Sequence, residues 1–207
     1  MNNTLIKNID YLQIGSHSGN TDTDKLFKQD LTNKNIILIE PVPSLFEELK
    51  TNYKTKDLNT VLFLNIAISN KNDTLELYIP SKNNCFSKSP YWVDQLTSVN
   101  KDHISRHNIY NLNIDKISVP CITLNTLIDM VGIKTIDYLM IDTEGHDYEI
   151  LMNFNLDIIK PNKICFENAH TDGTLTRGNN YIELINKLTK YGYKIIEENT
   201  QDTIVSL

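Results

Sequence analysis

IDYLMIDTEGHDYEILMNF, residues 136–154, opens with an apolar run over 136–141 that only Asp137 interrupts. The run is short and bounded by polar residues, as a buried parallel strand is. It ends in acid, at Asp142, Thr143 and Glu144, and Gly145 then turns the chain. A helical spacing follows, with Ile150, Leu151 and Phe154 on one face. Strand, acidic turn and helix make one βα unit. Ligands of open α/β sheets gather at the carboxyl ends of the strands. Asp142 and Glu144 therefore fall where chemistry is expected.

Outward from this unit the pattern repeats. Residues 11–15 (YLQIG) form a strand that runs into Ser16-His17-Ser18-Gly19-Asn20, a turn flanked by Gly15 and Gly19, and a helix over residues 22–31. Residues 36–39 form a second strand ending in Glu40, and Pro41 and Pro43 stop it. Ser44 and Glu47 have the spacing of a capping box, and Leu45, Phe46, Leu49 and Tyr53 give the next helix its apolar stripe. A third strand covers 61–68, with Asn65 and Ala67 near its end. Residues 74–79 alternate apolar and polar, the period of a half-exposed strand at a sheet edge or in a small flap. A short extended piece at 119–122 leads to Thr123, which caps a helix that Gly132 closes. A fifth strand, 163–167, ends in Glu167-Asn168-Ala169-His170. Asn180 precedes another helix, and strands at 193–196 and 203–205 finish the chain.

Strands alternating with helices predict an α/β, doubly wound, mostly parallel sheet in one domain over residues 1–207. Right-handed connections place the first three strands side by side and send the fourth to the other flank, so a cleft opens between strands one and four. Residues 80–118 interrupt this rhythm. They are polar, carry Tyr91, Trp92, Tyr110, His103, Arg106 and His107, and read as a lid over a substrate; the bland reading is a connector with a few short helices.

The 207 residues suffice for one sizeable core, and a net charge of −6 argues against wholesale nucleic-acid binding. Three scattered cysteines, Cys85, Cys121 and Cys165, suit a reducing compartment and no zinc site. No apolar stretch has the length of a signal peptide or a membrane span, so the chain reads as soluble and cytoplasmic.

A glycine turn after strand one and an acid after strand two point to a nucleoside. Glu40 lies about 25 residues after Gly15, near the usual spacing, and would hold ribose hydroxyls. Three glycines, which a pyrophosphate favours, are missing from Gly15-x-x-x-Gly19; S-adenosylmethionine, having no phosphate, needs fewer. Glu40 could instead be a solvated strand end, and the glycines turn residues only. Asn65 and Ala67 line an adenine pocket or merely end a strand.

The segments YLQIGSHSGN, ILIEPVPSLFEELKTNY, LNIAIS, VPCITLNTLIDMVGIKTIDYLMIDTEGHDYEIL and NKICFE come in an order that resembles the FkbM-type methyltransferases, over about residues 11–167. The resemblance implies a class I, Rossmann-like methyltransferase fold with an inserted lid segment. It also implies S-adenosylmethionine as cofactor and O-methylation of a hydroxyl, most often on a sugar or natural product. In that family an acid commonly stands two residues before the first glycine and helps hold the amino end of the methionine. Here the position is Gln13, which offers a hydrogen bond without a charge. Ser16 and His17 lie in the donor turn.

Methyl transfer from a sulfonium needs alignment, exclusion of water and a base for the acceptor hydroxyl. Asp142 is the first candidate base. Glu167, ending the neighbouring strand, would share the work or hold a divalent metal with it. Glu144 and His146 flank the same mouth, and His146 has a pKa suited to a base near neutrality. The bland readings are an N-cap for Asp142, a surface acid for Glu167 and a surface group for His146 and His170. No tight ligand spacing demands a metal. Tyr91, Trp92 and Arg106 would cover a sugar ring or simply anchor a long loop. The expected partner is a small-molecule or glycan hydroxyl acceptor, with neither nucleic acid nor membrane; the oligomeric state is not readable. Two rivals stand beside this reading: a ribose 2'-O-methyltransferase acting on nucleic acid, and an inactive binding module that keeps the fold.

Overall fold

A computed structural model describes residues 7–21, 24–81, 93–107, 109 and 112–207. Along the chain come β1 (Asn8–Ile14), β2 (Asn35–Ile39), α1 (Pro43–Tyr53), β3 (Thr60–Leu64), β4 (Ala67–Ser69), β5 (Asp73–Pro80) and α2 (Lys101–Arg106). β6 (Ile114–Thr123), α3 (Leu124–Val131), β7 (Thr135–Ile141), α4 (Asp147–Asn153), β8 (Lys163–Glu167), α5 (Asn179–Lys190), β9 (Lys194–Glu198) and β10 (Asp202–Ser206) follow.

The main sheet has seven strands in the order β3-β2-β1-β7-β8-β10-β9. β3, β2, β1, β7 and β8 run parallel, while β10 is antiparallel to both its neighbours. The expected α/β, mostly parallel, Rossmann-like sheet is present, with the switch of direction between β1 and β7. Burial on both faces explains its isoleucine-rich strands. Ile14, Ile37, Ile39, Ile141 and Phe166 pack against α3, α4 and α5. On the other face Leu38, Met140 and Cys165 meet Leu49 and Tyr53 of α1, together with Leu26 and Leu31. Thr123 caps α3 through its hydroxyl, which accepts from Thr126 N at 3.1 Å, and Gly132 ends the helix in the left-handed region. Among the described residues no helix is long and apolar enough to cross a membrane.

Local chemistry overrides the sequence reading in several places. The helix expected over 22–31 is, in its described part, a string of turns. Asp24 Oδ1 accepts from the backbone N–H of Leu26 and Phe27, and Asp30 Oδ1 from Thr32; such side-chain bonds compete with a helix. The capping box at Ser44 and Glu47 is absent. α1 begins at Pro43 behind Val42 without a side-chain cap, and Glu47 pairs with Lys50 at 2.8 Å. Proline at the first position has no N–H to satisfy. The 61–68 strand is two strands in two sheets. It breaks at Asn65, whose amide donates to Glu40 O at 2.8 Å and Pro41 O at 3.0 Å.

The flap alternative at 74–79 holds. β5 pairs antiparallel with β6, and β6 pairs parallel with β4, in a separate three-stranded sheet. β6 is much longer than the expected piece at 119–122, because pairing with β5 draws in the polar residues from Ile114. The end of the presumed insertion is therefore strand. Its described remainder is a 3-10 turn, Val93–Gln95, and α2. Cys85, Tyr91, Trp92 and Tyr110 lie outside the described residues. α5 starts at Asn179, and its first N–H groups are held by Asp172, which accepts from Gly178, Asn180 and Tyr181.

Where β1 and β7 leave the sheet they touch through backbone. Gly15 has φ +79°, and a Cβ there would lie 1.8 Å from the carbonyl oxygen of Asp142. Left-handed backbone in a residue with a side chain costs about 1–3 kcal/mol, and forced overpacking costs a further ~1–3 kcal/mol. Gly15→Ala is expected to lower the unfolding free energy by about 3 kcal/mol or more in urea melts. A wild-type midpoint would mean that the two strand ends separate freely.

Candidate functional site

A cavity of about 500 Å³ opens at the carboxyl ends of the central strands, within the size range of small-molecule sites. Gln13, Gly15, Ser16, His17, Glu40, Ala67, Asp142, Glu144, His146 and Glu167 all line it. Parallel pairing explains the convergence: Ile14, Ile39, Ile141 and Phe166 stand in register, so the residues after them share one rim. Gly19 and Asn65 are not among the walls. Gly19 packs on α1, where a Cβ would meet Leu49 and Tyr53, and Asn65 holds the backbone behind Glu40.

One end of the cavity is organised by Glu40. Its Oε2 accepts from His17 N at 2.7 Å and its Oε1 from Val42 N at 2.8 Å. The positive φ of Gly15 and of His17 (49°) folds the turn back so that this N–H faces the acid. Both N–H groups come from rigid backbone, so the carboxylate is fixed in place. Burial pushes its pKa up to about 7 although both bonds favour the charged form. Beside it Ile66, Ala67, Ile68, Leu75, Leu77 and Val99 form an apolar wall, built largely from the small sheet. A buried acid next to an apolar slot suits a ligand with paired hydroxyls and a flat, poorly hydrated ring.

The other end is acidic. Asp142 is open to the cavity, yet protein encloses the site deeply. That enclosure, with Glu144 and Asp147 nearby, raises its carboxyl well above the usual range. Glu167 is raised by burial and by Asp142. Its Oε1 faces His170 Nε2 at 3.1 Å, and its Oε2 has no hydrogen-bond partner among the described residues. His170 Nδ1 accepts from Leu175 N at 2.9 Å, so the ring proton sits on Nε2 and is donated to Glu167. Burial and the neighbouring His103 push the His170 pKa down to about 4, which keeps this donor neutral. Glu144, with φ 53°, accepts from His103 Nε2 at 2.7 Å and, through its carbonyl, from Ser98 Oγ at 2.8 Å. α2 and the turn before it thus lie against the acidic turn. His146 Nε2 is 3.0 Å from Ser69 Oγ, and burial lowers its pKa.

His103, Glu144 and His170 bring three ligand-type atoms within 4.8 Å of one another. Their hydrogen bonds do not leave those atoms free for an ion. His170 Nε2 carries the proton, because Nδ1 is occupied by a backbone donor, and Glu144 Oε2 already accepts from His103. As arranged, each of the three is already committed to a hydrogen bond and would have to rearrange to ligate.

Sequence reading missed Asp147. It is buried at the start of α4; Oδ1 accepts from Thr143 N at 2.9 Å and from the Thr143 hydroxyl, and Oδ2 from Glu167 N at 2.8 Å. It ties the ends of β7 and β8 together through Thr143 and the backbone of Glu167. Burial lifts its pKa to about 6 against these bonds. An acid in the first turn of a helix is a recognisable signal, but its bond to β8 is not. Asp24, which lines the cavity, was also missed, hidden inside the expected helix.

A model of the methyltransferase FkbM domain matches residues 13–195, most of the chain and every cavity residue named from Gln13 to Glu167. No curated protein matches the sequence. The chain belongs to the FkbM methyltransferase family. Within its site, Asp147→Ala would strand the N–H groups of Thr143 and Glu167 in the interior, at about 1–3 kcal/mol each. We expect a loss of about 3 kcal/mol in chemical denaturation and loss of activity; full stability would show that Asp147 does not hold the two strand ends.

Proposed function

We propose that the protein is an S-adenosylmethionine-dependent O-methyltransferase whose acceptor is a hydroxyl, most naturally that of a sugar in a glycan or glycosylated small molecule. The observation that carries this reading is the single cavity with Glu40 at one end and Asp142 and Glu167 at the other. The residues fit the donor. Glu40 would take the ribose hydroxyls, and Ile66, Ala67 and Ile68 the adenine. When bound, that donor supplies a methyl group on a sulfonium, an electrophile that needs an aligned nucleophile and no acid.

The chain's own residues supply the rest. A hydroxyl becomes a competent nucleophile as its proton is taken. Glu167 presents an unpartnered carboxylate oxygen, and His170 donates to its other oxygen, which favours the charged form. Asp142 raises the proton affinity of Glu167, so the two acids favour holding a proton between them over both being charged. One carboxylate is then available to accept the hydroxyl proton and the other to donate a hydrogen bond to the acceptor. Ser98 and His103 hold the acidic turn in place through Glu144. The sugar acceptor rests on the family resemblance. The net charge of −6 weighs against a nucleic-acid acceptor. The free buried thiols Cys121 and Cys165 support a reducing compartment, the cytoplasm.

Two outcomes are expected. Asp142→Ala should lower turnover by ~100-fold or more while circular dichroism and melting stay near wild type; wild-type turnover with any accepted sugar would remove Asp142 from the mechanism. Glu40 binds hydroxyls as a carboxylate, and its pKa near 7 means that it is largely protonated below that pH. Affinity for S-adenosylhomocysteine, measured by calorimetry, should therefore rise from pH 6 towards pH 7 and level off above it. Glu40→Gln should weaken binding by ~10-fold or more and flatten that rise; an unchanged profile would place the ribose elsewhere.

A further inference from the structure

The strand ends that line the cavity form a row. In sheet order they are Glu40 after β2, Gly15 after β1, Asp142 after β7 and Glu167 at the end of β8. The row has one further member. β10 runs antiparallel to β8, so its beginning stands at this rim, and Asp202 pairs in register with Glu167. Asp202 lines the cavity together with Gln201, Lys25 and Lys28. Burial raises the Asp142 and Glu167 carboxyls most, and the nearby charge of Asp202 adds to both. Lys25 reaches Asp202 from the turns that follow the glycine-rich loop, with Nζ 2.6 Å from Oδ2. The mount is rigid. Asn199 Oδ1 accepts from Gln201 N and Asp202 N, both at 2.8 Å, and Gln201 O accepts from Asn168 N at 2.7 Å, directly behind Glu167. Gln201 and Asp202 lie beyond residue 195, where the family match ends.

The donor, as proposed above, occupies the row from Glu40 to Asp142, and the hydroxyl to be methylated sits by Asp142 and Glu167. The rest of the acceptor then lies over the next place in the row, Asp202. The ion pair there sets a carboxylate, which only accepts hydrogen bonds, beside an ammonium group, which only donates them and keeps two N–H groups beyond the one given to Asp202. Two neighbouring oxygens match it, one donating its proton to Asp202 and the other accepting from Lys25, as adjacent hydroxyls of a sugar ring do. Lys28 lies near Asp24, so each lysine of this wall has an acid beside it and neither calls for an anionic acceptor. We infer that Lys25 and Asp202 form an acceptor subsite for a pair of adjacent sugar hydroxyls next to the one that is methylated. The inference rests on the proposed function and deepens it to a neutral, vicinally hydroxylated ring. It also separates acceptor recognition, at β10, from ribose recognition, at Glu40.

The test measures methyl transfer to methyl hexopyranosides and to their monodeoxy counterparts, with calorimetric affinity for S-adenosylhomocysteine as the control. For a hexoside that wild type accepts, removing one hydroxyl beside the methylated one should lower kcat/KM by ~10-fold or more. Asp202→Asn should raise KM for the parent hexoside by a similar factor, leave the S-adenosylhomocysteine Kd unchanged and remove most of the difference between parent and deoxy sugar. Lys25→Met, which keeps the apolar stem, should do the same and serves if the first variant unfolds. An unchanged KM in both variants, or an equal loss for parent and deoxy sugar, overturns the inference while the proposed function stands. Wild type that binds S-adenosylhomocysteine yet methylates no hexoside brings down the sugar reading and this inference with it. Failure to bind S-adenosylhomocysteine brings down the donor reading itself.

Discussion

The contact between Gly15 and the carbonyl oxygen of Asp142 sets the geometry on which the cavity depends. At a switch of direction the connections leaving neighbouring parallel strands part to opposite faces of the sheet, and their separation makes the cleft. Here the absence of one Cβ lets the backbones of β1 and β7 meet at its floor. Two N–H groups of this turn, those of Gly15 and Ser16, both donate to Ile39 O at 3.0 Å, which binds the same corner to β2. The three strand ends thereby form a rigid rim. The carboxylates stand on that rim, so their separation follows from backbone packing rather than from flexible side chains.

That rim carries an electrostatic load. Glu40, Asp142, Asp147 and Glu167 all have raised pKa values, and burial is the largest cause in each. Glu40, Asp147 and Glu167 are buried acids, which a structure built for stability alone would avoid. Two solutions coexist here. Asp147 and Glu40 are compensated by backbone N–H groups and act as fixed parts of the frame. Asp142 and Glu167 are compensated incompletely, which leaves proton-accepting capacity facing the cavity. Incomplete satisfaction of this kind is characteristic of sites poised for chemistry.

The small sheet shows how a segment of modest sequence signal shapes such a site. β4, β5 and β6 share a small core of Ala67, Leu77, Val119 and Cys121. Their inner face nevertheless closes the apolar side of the cavity, and the nearby α2 sends His103 to the acidic turn. His103 and His170 lie edge to face, with ring centroids 4.5 Å apart. The acids at the strand ends therefore stand in contact with an element far away in the chain.

The sequence alone determined the α/β class, the parallel central strands and the acids that end them, because those features follow from local periodicity and from the rule that chemistry gathers at strand ends. Glu40, Asp142, Glu144 and Glu167 are legible from their places after apolar runs, and the family from the order of its blocks. Tertiary structure decided what local pattern does not encode. The division of 61–68 between two sheets follows from Asn65 bonding to the Glu40 and Pro41 carbonyls. The loss of the helix over residues 24–31 is a local exception, since Asp24 and Asp30 capture N–H groups two and three residues on, which leaves no trace in the apolar spacing. Asp147 became the tie between β7 and β8, and Asp24 part of the cavity wall, only when distant segments packed together. Hydrogen bonds between residues twenty or more apart leave no periodic trace, so the elements and their acids can be read in sequence while the partners of those acids are fixed by the fold.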